Sequence, residues 1–158
     1  LMQKLGQEIE KIGAYAKGPS ITWADVEAVA TPQLSAVVFK IADAIGEKNY
    51  DRAASILGEL YQMQKKPQEI MGALGKQMRQ FYSAQLAQSS GKGADYVARL
   101  WGMNYPANQL MNSARRLSLP WCRQAVLACA RTEMAMKSSG QDDQELLTAL
   151  LLELANTR

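Results

Sequence analysis

The residue types that most often carry out chemistry are scarce in this sequence, which has 158 residues, no histidine and two cysteines. Without histidine the chain lacks the commonest general base, metal ligand and pH-sensitive side chain. Cys122 and Cys129 belong to one helical stretch, where two turns separate them by roughly 10 Å, too far for a disulfide within a helix. We therefore expect two buried thiols in a reduced, cytoplasmic protein.

Phosphate-binding and metal-binding patterns are also missing from the sequence. The pattern GxxxxGK[ST], whose backbone N–H groups cradle phosphates, does not occur, and no GxGxxG follows a strand. The stretch SSGKGA at 89–94 is glycine-rich, but it has no strand before it and is interpreted as a surface loop. The acidic residues at 142–145 suit a helix N-terminus, where the helix dipole favours carboxylates. We expect no catalytic residue, no metal site and no cofactor.

Positive charge is spread unevenly along a chain whose net charge is +3. Between positions 76 and 131 the lysines and arginines are opposed by Asp95 alone. This excess fits a surface for nucleic acid or an acidic partner, and it equally fits a solvated helical face.

Every repeating segment has helical spacing, and none alternates as a strand would. The start signals are Thr22, Thr31-Pro32, Asn49 or Asp51, Pro67, Ser118-Pro120 and Asp142. They predict an all-α chain of about eight helices. One short helix is expected to end near Val29 and the next to begin at Pro32, where a missing N–H costs nothing.

The predicted inward residues of the helix that begins at Pro67 include Ile70, Leu74, Met78, Phe81, Tyr82 and Leu86. The last helix presents Leu146, Leu147, Leu150, Leu151 and Leu154 on one face. No apolar run reaches the roughly 18 residues that a membrane span needs, and no secretion signal is evident. The sequence starts at Leu1 inside a helical pattern, which suggests a piece of a longer protein.

Several motifs, in this order, resemble the bacterial DNA polymerase III delta subunit family. They are EIEKIGAY at 8–15, ITWADV at 21–26, VFKIADAI at 38–45, ARRLS at 114–118 and EMAMK at 133–137. Each motif is weakly specific by itself, but the ordered set covers nearly the whole chain.

The resemblance implies an all-α helical bundle with two parts. The end of an AAA+-like lid domain would occupy 1–30, and the C-terminal helical collar domain would occupy 31–158. Thr31 and Pro32 would form the joint between them. The family's N-terminal AAA+-like domain, which opens the sliding clamp, would be missing. Delta subunits of this family do not hydrolyse ATP, in agreement with the missing phosphate loop.

The implied function is a non-catalytic oligomerisation domain of the clamp loader that places the β sliding clamp on primer–template DNA during replication. The implied partners are the gamma/tau and delta-prime subunits, and primer–template DNA in the full assembly. The β clamp would be contacted through the missing domain. The implied location is the cytoplasm, with no membrane contact.

Two sets of residues are candidates for contacts. The long and last helices offer residues for the domain core or a subunit interface: Val126, Glu133, Lys137, Leu147, Leu150, Leu151 and Leu154. Glu133 and Lys137 either pair one turn apart within the helix or reach a neighbouring subunit. The residues expected to face DNA are Trp101, Tyr105, Arg115 and Arg116, because aromatic rings stack on bases and arginines neutralise phosphates. Packing and solvation are the alternative role for this second set.

Two other functions remain open. The chain could be a stand-alone helical adaptor that binds a partner helix or peptide in a groove. It could also be a small helical enzyme or ligand-binding bundle that uses lysine or carboxylate chemistry, which would require perturbed titratable groups clustered in a cleft.

Overall fold

The structure is a computed structural model that describes residues 23–157, with side chains from position 34 onward. Within that part of the chain there are seven α-helices and no strand, which confirms the all-α prediction. The helices are α1 (Trp23–Gly46), α2 (Tyr50–Gln62), α3 (Pro67–Ser89), α4 (Ala94–Leu100), α5 (Asn108–Ala114), α6 (Leu119–Ser138) and α7 (Asp143–Asn156). The motif at 8–15 and the predicted helix start at Thr22 lie outside the described residues.

Helix α1 corrects one prediction. A helix was expected to end near Val29 and another to begin at Pro32, whereas α1 continues from Trp23 to Gly46. Proline lacks a backbone N–H, so the hydrogen bond to the carbonyl four residues earlier cannot form. A single missing bond does not end a helix of 24 residues. The signal that suits proline to a first turn was therefore misinterpreted as a helix start.

The chain divides into two compact units, Leu1–Val37 and Val38–Arg158. The predicted division into 1–30 and 31–158 stays a prediction. All side-chain contacts described below lie within the second unit.

Helix α3 is the centre of the second unit. It packs against α6 most extensively and also contacts α4, α5 and α7, while α7 packs on α6 and α2. The predicted inward residues Ile70, Leu74, Met78 and Phe81 are at most 2% exposed. Phe39 from α1 meets Phe81 edge to face, with ring centroids 6.0 Å apart, a favoured aromatic geometry. Burying each large apolar side chain contributes roughly 1.5–3 kcal/mol.

Four of the seven described helices, α2, α3, α6 and α7, start at the predicted signals. The side chains of Asn49, Ser118 and Asp142 accept hydrogen bonds from backbone N–H groups three residues later, each at 3.1 Å. Pro67 is the first residue of α3. These caps satisfy N–H groups that have no partner inside the helix.

The structure differs from the predictions at two other places. Leu86 was predicted to face inward but is 44% exposed. The buried positions near the end of α3 are Phe81, Ala84 and Ala87, and their spacing of three turns Leu86 toward solvent. The helical spacing of residues 106–117 predicts one helix over that whole range, whereas α5 covers only Asn108–Ala114.

Candidate assembly and nucleic-acid surfaces

The leucines of α7 divide between the core and the surface. Leu147, Leu150 and Leu154 are at most 1% exposed, so they fill the domain's own core and cannot contact a partner directly. Leu151 is half-buried. By contrast Leu152 is 60% exposed. Leu152 falls outside the arc of about 140° that the other five leucines of this helix occupy at 3.6 residues per turn, and the sequence reasoning did not consider it as a contact.

Helix α6 carries two exposed apolar side chains that the sequence reasoning also missed. Leu127 is 50% exposed and Met134 is 69% exposed. Residues seven apart share one face of a helix, so these two form a single outward stripe. Arg131, between them, pairs with Glu153 of α7. We call Leu127, Met134 and Leu152 the exposed apolar set.

The remaining candidate interface residues lie beside this set. Val126 and Glu133 are half-buried and Lys137 is exposed. Among residues 34–157 no ion pair joins Glu133 to Lys137. The Glu133 carboxylate points instead at α3, where a Cβ atom added to Gly75 would lie 2.7 Å from Glu133 Oε1. Glycine at this position therefore gives the carboxylate room between the two helices.

The aromatic residues predicted to face DNA have different environments. Trp101 is half-buried, and its Nε1–H donates to Ser83 Oγ at 2.7 Å. Tyr105 is 68% exposed. Arg115 is exposed, and its Nη1 donates to Asn112 Oδ1 at 2.9 Å, within α5 and its cap. Tyr105 and Arg115 thus remain open to a ligand.

Arg116 is held by the acidic end of α1. Its Nη1 lies 3.3 Å from Asp43 Oδ1 and 2.9 Å from Glu47 Oε1. Ser113 Oγ also donates to Asp43 Oδ1, at 3.0 Å. Two carboxylates already compensate this guanidinium, so a phosphate contact at Arg116 would require breaking those pairs.

A groove opens beside the glycine-rich loop and α4. It has a volume of about 480 Å³ and is lined by residues that include Lys92, Asp95, Tyr96 and Arg99. The Lys92 Nζ lies over the Tyr96 ring, 5.7 Å from its centroid. The sequence reasoning treated 89–94 as a plain surface loop. The sequence signal that could have indicated the groove is the close spacing of Lys92, Tyr96 and Arg99 beside the glycines.

The two thiols are buried as predicted. Cys122 and Cys129 are free cysteines that are 1% and 2% exposed. Burial raises the pKa of each thiol to about 12, so neither is a thiolate near neutral pH. Tyr61, beside the start of α7, also has a raised pKa, because of burial and then the charge of Asp142.

The described part of the chain contains no group of three or more Cys, Asp or Glu residues arranged to hold a metal ion. None of its helices is both long enough and apolar enough to cross a bilayer.

The described helices form an all-α bundle domain, and its surface carries exposed apolar and basic residues. Residues 35–154 match the family model of the DNA polymerase III delta subunit, C-terminal domain. This match covers most of the chain, and the chain belongs to that family.

The chain is also similar to a solved structure described as the Bacillus subtilis DNA clamp loader delta protein (YqeN). The TM-score is 0.74 at 24% sequence identity, and the similarity covers 94% of this chain and 44% of that protein. At this identity the likeness establishes the fold. Because the similarity covers only 44% of that protein, the chain spans less than half of its length. A search of curated proteins finds no match.

Proposed function

We propose that the chain supplies the collar domain of a clamp-loader delta subunit, preceded by the end of an AAA+-like lid. The observation that carries this proposal is the family match over 35–154. The all-α fold, similar to that of a clamp loader delta protein, supports it. In this proposal Thr31 and Pro32 mark the joint, as a point inside α1 where one backbone hydrogen bond is missing.

The proposed role is assembly and not catalysis. The partners are the gamma/tau and delta-prime subunits, and the β clamp is contacted by a domain outside this chain. Primer–template DNA is met in the assembled loader, in the cytoplasm. Trp101, Tyr105 and Arg115 are the proposed DNA contacts; Arg116 is a weaker candidate because Asp43 and Glu47 hold it.

The exposed apolar set is the proposed centre of the subunit interface, with Val126, Glu133, Leu151 and Lys137 around it. Interfaces between subunits bury apolar side chains at their centre and leave charged ones at the rim. Leu127, Met134 and Leu152 are each at least half exposed, so their burial by a partner would remove apolar area from water.

Sedimentation velocity tests the assembly role. The chain is run alone and mixed with the collar domains of gamma/tau and delta-prime from the same organism, and a heavier species is expected on mixing. The double variant Leu127→Asp and Met134→Asp should weaken that association at least about tenfold, because it places charge in an apolar contact. Leu100→Asp is the matched control, since Leu100 is 57% exposed on α4.

A stand-alone adaptor is the second candidate. The same exposed apolar stripe on α6 is able to pack against the apolar face of a partner helix. A chain that stays monomeric with every clamp-loader collar would contradict the assembly role and favour the adaptor.

A further inference from the structure

The solvent-facing side of α6 carries a regular pattern of side chains. Five exposed residues follow one another along it at spacings of four, three, four and three: Arg123, Leu127, Ala130, Met134 and Lys137. At 3.6 residues per turn these positions fall within an arc of about 80° around the helix. We call these five residues the outer seam of α6.

The outer seam lies opposite the buried face of α6. The buried residues of the helix, which include Ala125 and Ala128, are on the other side at 3.6 residues per turn. Leu127 is 50% exposed and Met134 is 69% exposed, so the described part of the chain leaves the middle of the seam uncovered. Alternating spacings of four and three repeat every seven residues, the pattern by which one helix packs along another in a coiled coil. The seam therefore has the spacing needed to receive one further helix.

Each end of the outer seam carries a cation. Arg123 and Lys137 are about 21 Å apart along the helix axis at 1.5 Å per residue. Neither takes part in an ion pair among the residues with described side chains. By comparison Arg131, on the same helix, pairs with Glu153 of α7. The two end cations are therefore open to carboxylates from another molecule.

We infer that the outer seam binds one amphipathic helix of a partner protein, with apolar side chains along its middle and carboxylates at both ends. The apolar side chains cover Leu127 and Met134, as in a coiled coil. The carboxylates pair with Arg123 and Lys137, and this complementary charge selects the partner.

A second copy of this chain does not meet the same requirement. Antiparallel packing of two outer seams places Arg123 against Lys137, and parallel packing places each cation against the same residue of the other copy. Like charges in direct opposition disfavour both arrangements. The inference deepens the proposed function, and it rests on that function only for which protein supplies the helix.

Two labelled peptides test the inference with the whole 158-residue chain. Both are helices of about 21 residues with leucines at the same heptad positions, and one has glutamates at both ends where the other has lysines. Fluorescence anisotropy should show at least about tenfold tighter binding of the acidic-ended peptide. This preference should shrink as salt is added, because the ion pairs are exposed. Leu127→Asp with Met134→Asp should abolish binding of both peptides.

Charge reversal on the protein gives the complementary test. Arg123→Glu with Lys137→Glu should reverse the preference, so that the lysine-ended peptide binds more tightly. Lys92→Glu with Arg99→Glu is the matched control, because it makes the same change of charge beside α4, outside the seam, and should leave the preference as it is. A thermal melt of each variant excludes unfolding as the cause.

Several outcomes overturn the inference. The two peptides could bind equally, the reversal at Arg123 and Lys137 could have no effect, or polyglutamate without leucines could bind as tightly as the acidic-ended peptide. Self-association of the parent that Leu127→Asp abolishes would assign the seam to a second copy.

Sedimentation with the gamma/tau and delta-prime collars separates this inference from the proposed function. Collars that bind the parent and the Arg123→Glu, Lys137→Glu variant equally well would support the assembly role and contradict the charge pairing. A peptide preference without any collar association would support the seam and contradict the assembly role.

Discussion

Gly72 and Gly75 lie three residues apart in the interior of α3, but the space around their Cα atoms differs. A Cβ atom at Gly72 would meet nothing within 4 Å. At Gly75 it would lie 2.7 Å from Glu133 Oε1 and 3.3 Å from Arg79 Nη1. The same substitution therefore has two different physical consequences in one helix.

We predict that Gly72→Ala stabilises the protein by about 1 kcal/mol, because alanine loses less backbone entropy than glycine in a helix. Gly75→Ala should raise the free energy of unfolding by less, since the Glu133 carboxylate must move to make room for the new Cβ atom. Chemical denaturation of both variants measures the difference. Adding Glu133→Ala to Gly75→Ala should restore the gain in a double-mutant cycle. Equal effects at both glycines would show that Glu133 moves at no cost.

Among the helices, the turn between α5 and α6 is attached to its neighbours by polar contacts. Gln85 of α3 donates through Nε2 to the carbonyl oxygens of Ala114 and Leu117. Arg116 reaches Asp43 and Glu47 at the end of α1. These contacts join α1 and α3 to a short connection that has few buried side chains of its own.

Arg116→Glu should destabilise the fold by about 1–2 kcal/mol, because it replaces two exposed ion pairs with repulsion. Arg115→Glu should change stability by less than about 0.5 kcal/mol, since its side chain is exposed and bonds only to Asn112. Urea denaturation at low and high salt measures the stability of both variants. Salt screens exposed charges, so the difference in stability between the two variants should be smaller at high salt. If the two reversals were equally harmless, the contacts of Arg116 would have no structural role.

The contrast between Arg116 and Arg115 also shows what the sequence could and could not predict. Spacing and capping rules identified the helix starts at Pro67 and Asp142 and the buried face of α3, because those signals act within one or two turns. The carboxylate partners of Arg116, at the end of α1 and just after it, are about 70 residues earlier in the chain. Exposure of Leu86 and Leu152 depends on which neighbours pack against them. Sequence periodicity describes the faces of one helix and does not identify which other helices pack against them.

At the scale of the whole molecule, α3 and α6 form the largest contact, and both thiols lie on the buried side of α6. Burial is the main cause that raises the pKa of Cys122, and that of Cys129, from 9.0 to about 12. Glu133 and Glu153 add to the rise at Cys129, and Arg79 opposes it. The raised pKa values of the two thiols therefore link the stability of the protein to pH.

We predict that this linkage makes the protein lose stability in alkali. The folded chain retains thiol protons that the unfolded chain releases, so raising the pH favours unfolding. The thiol contribution is fully present below pH 9.0 and is lost as the pH rises toward about 12. Urea midpoints measured from pH 7 upward should fall above pH 9 in the parent and fall less steeply in a Cys122→Ala, Cys129→Ala variant. Parallel curves for the two proteins would mean that the thiols ionise as readily in the folded chain as in the unfolded one, and would contradict the burial of these two side chains of α6.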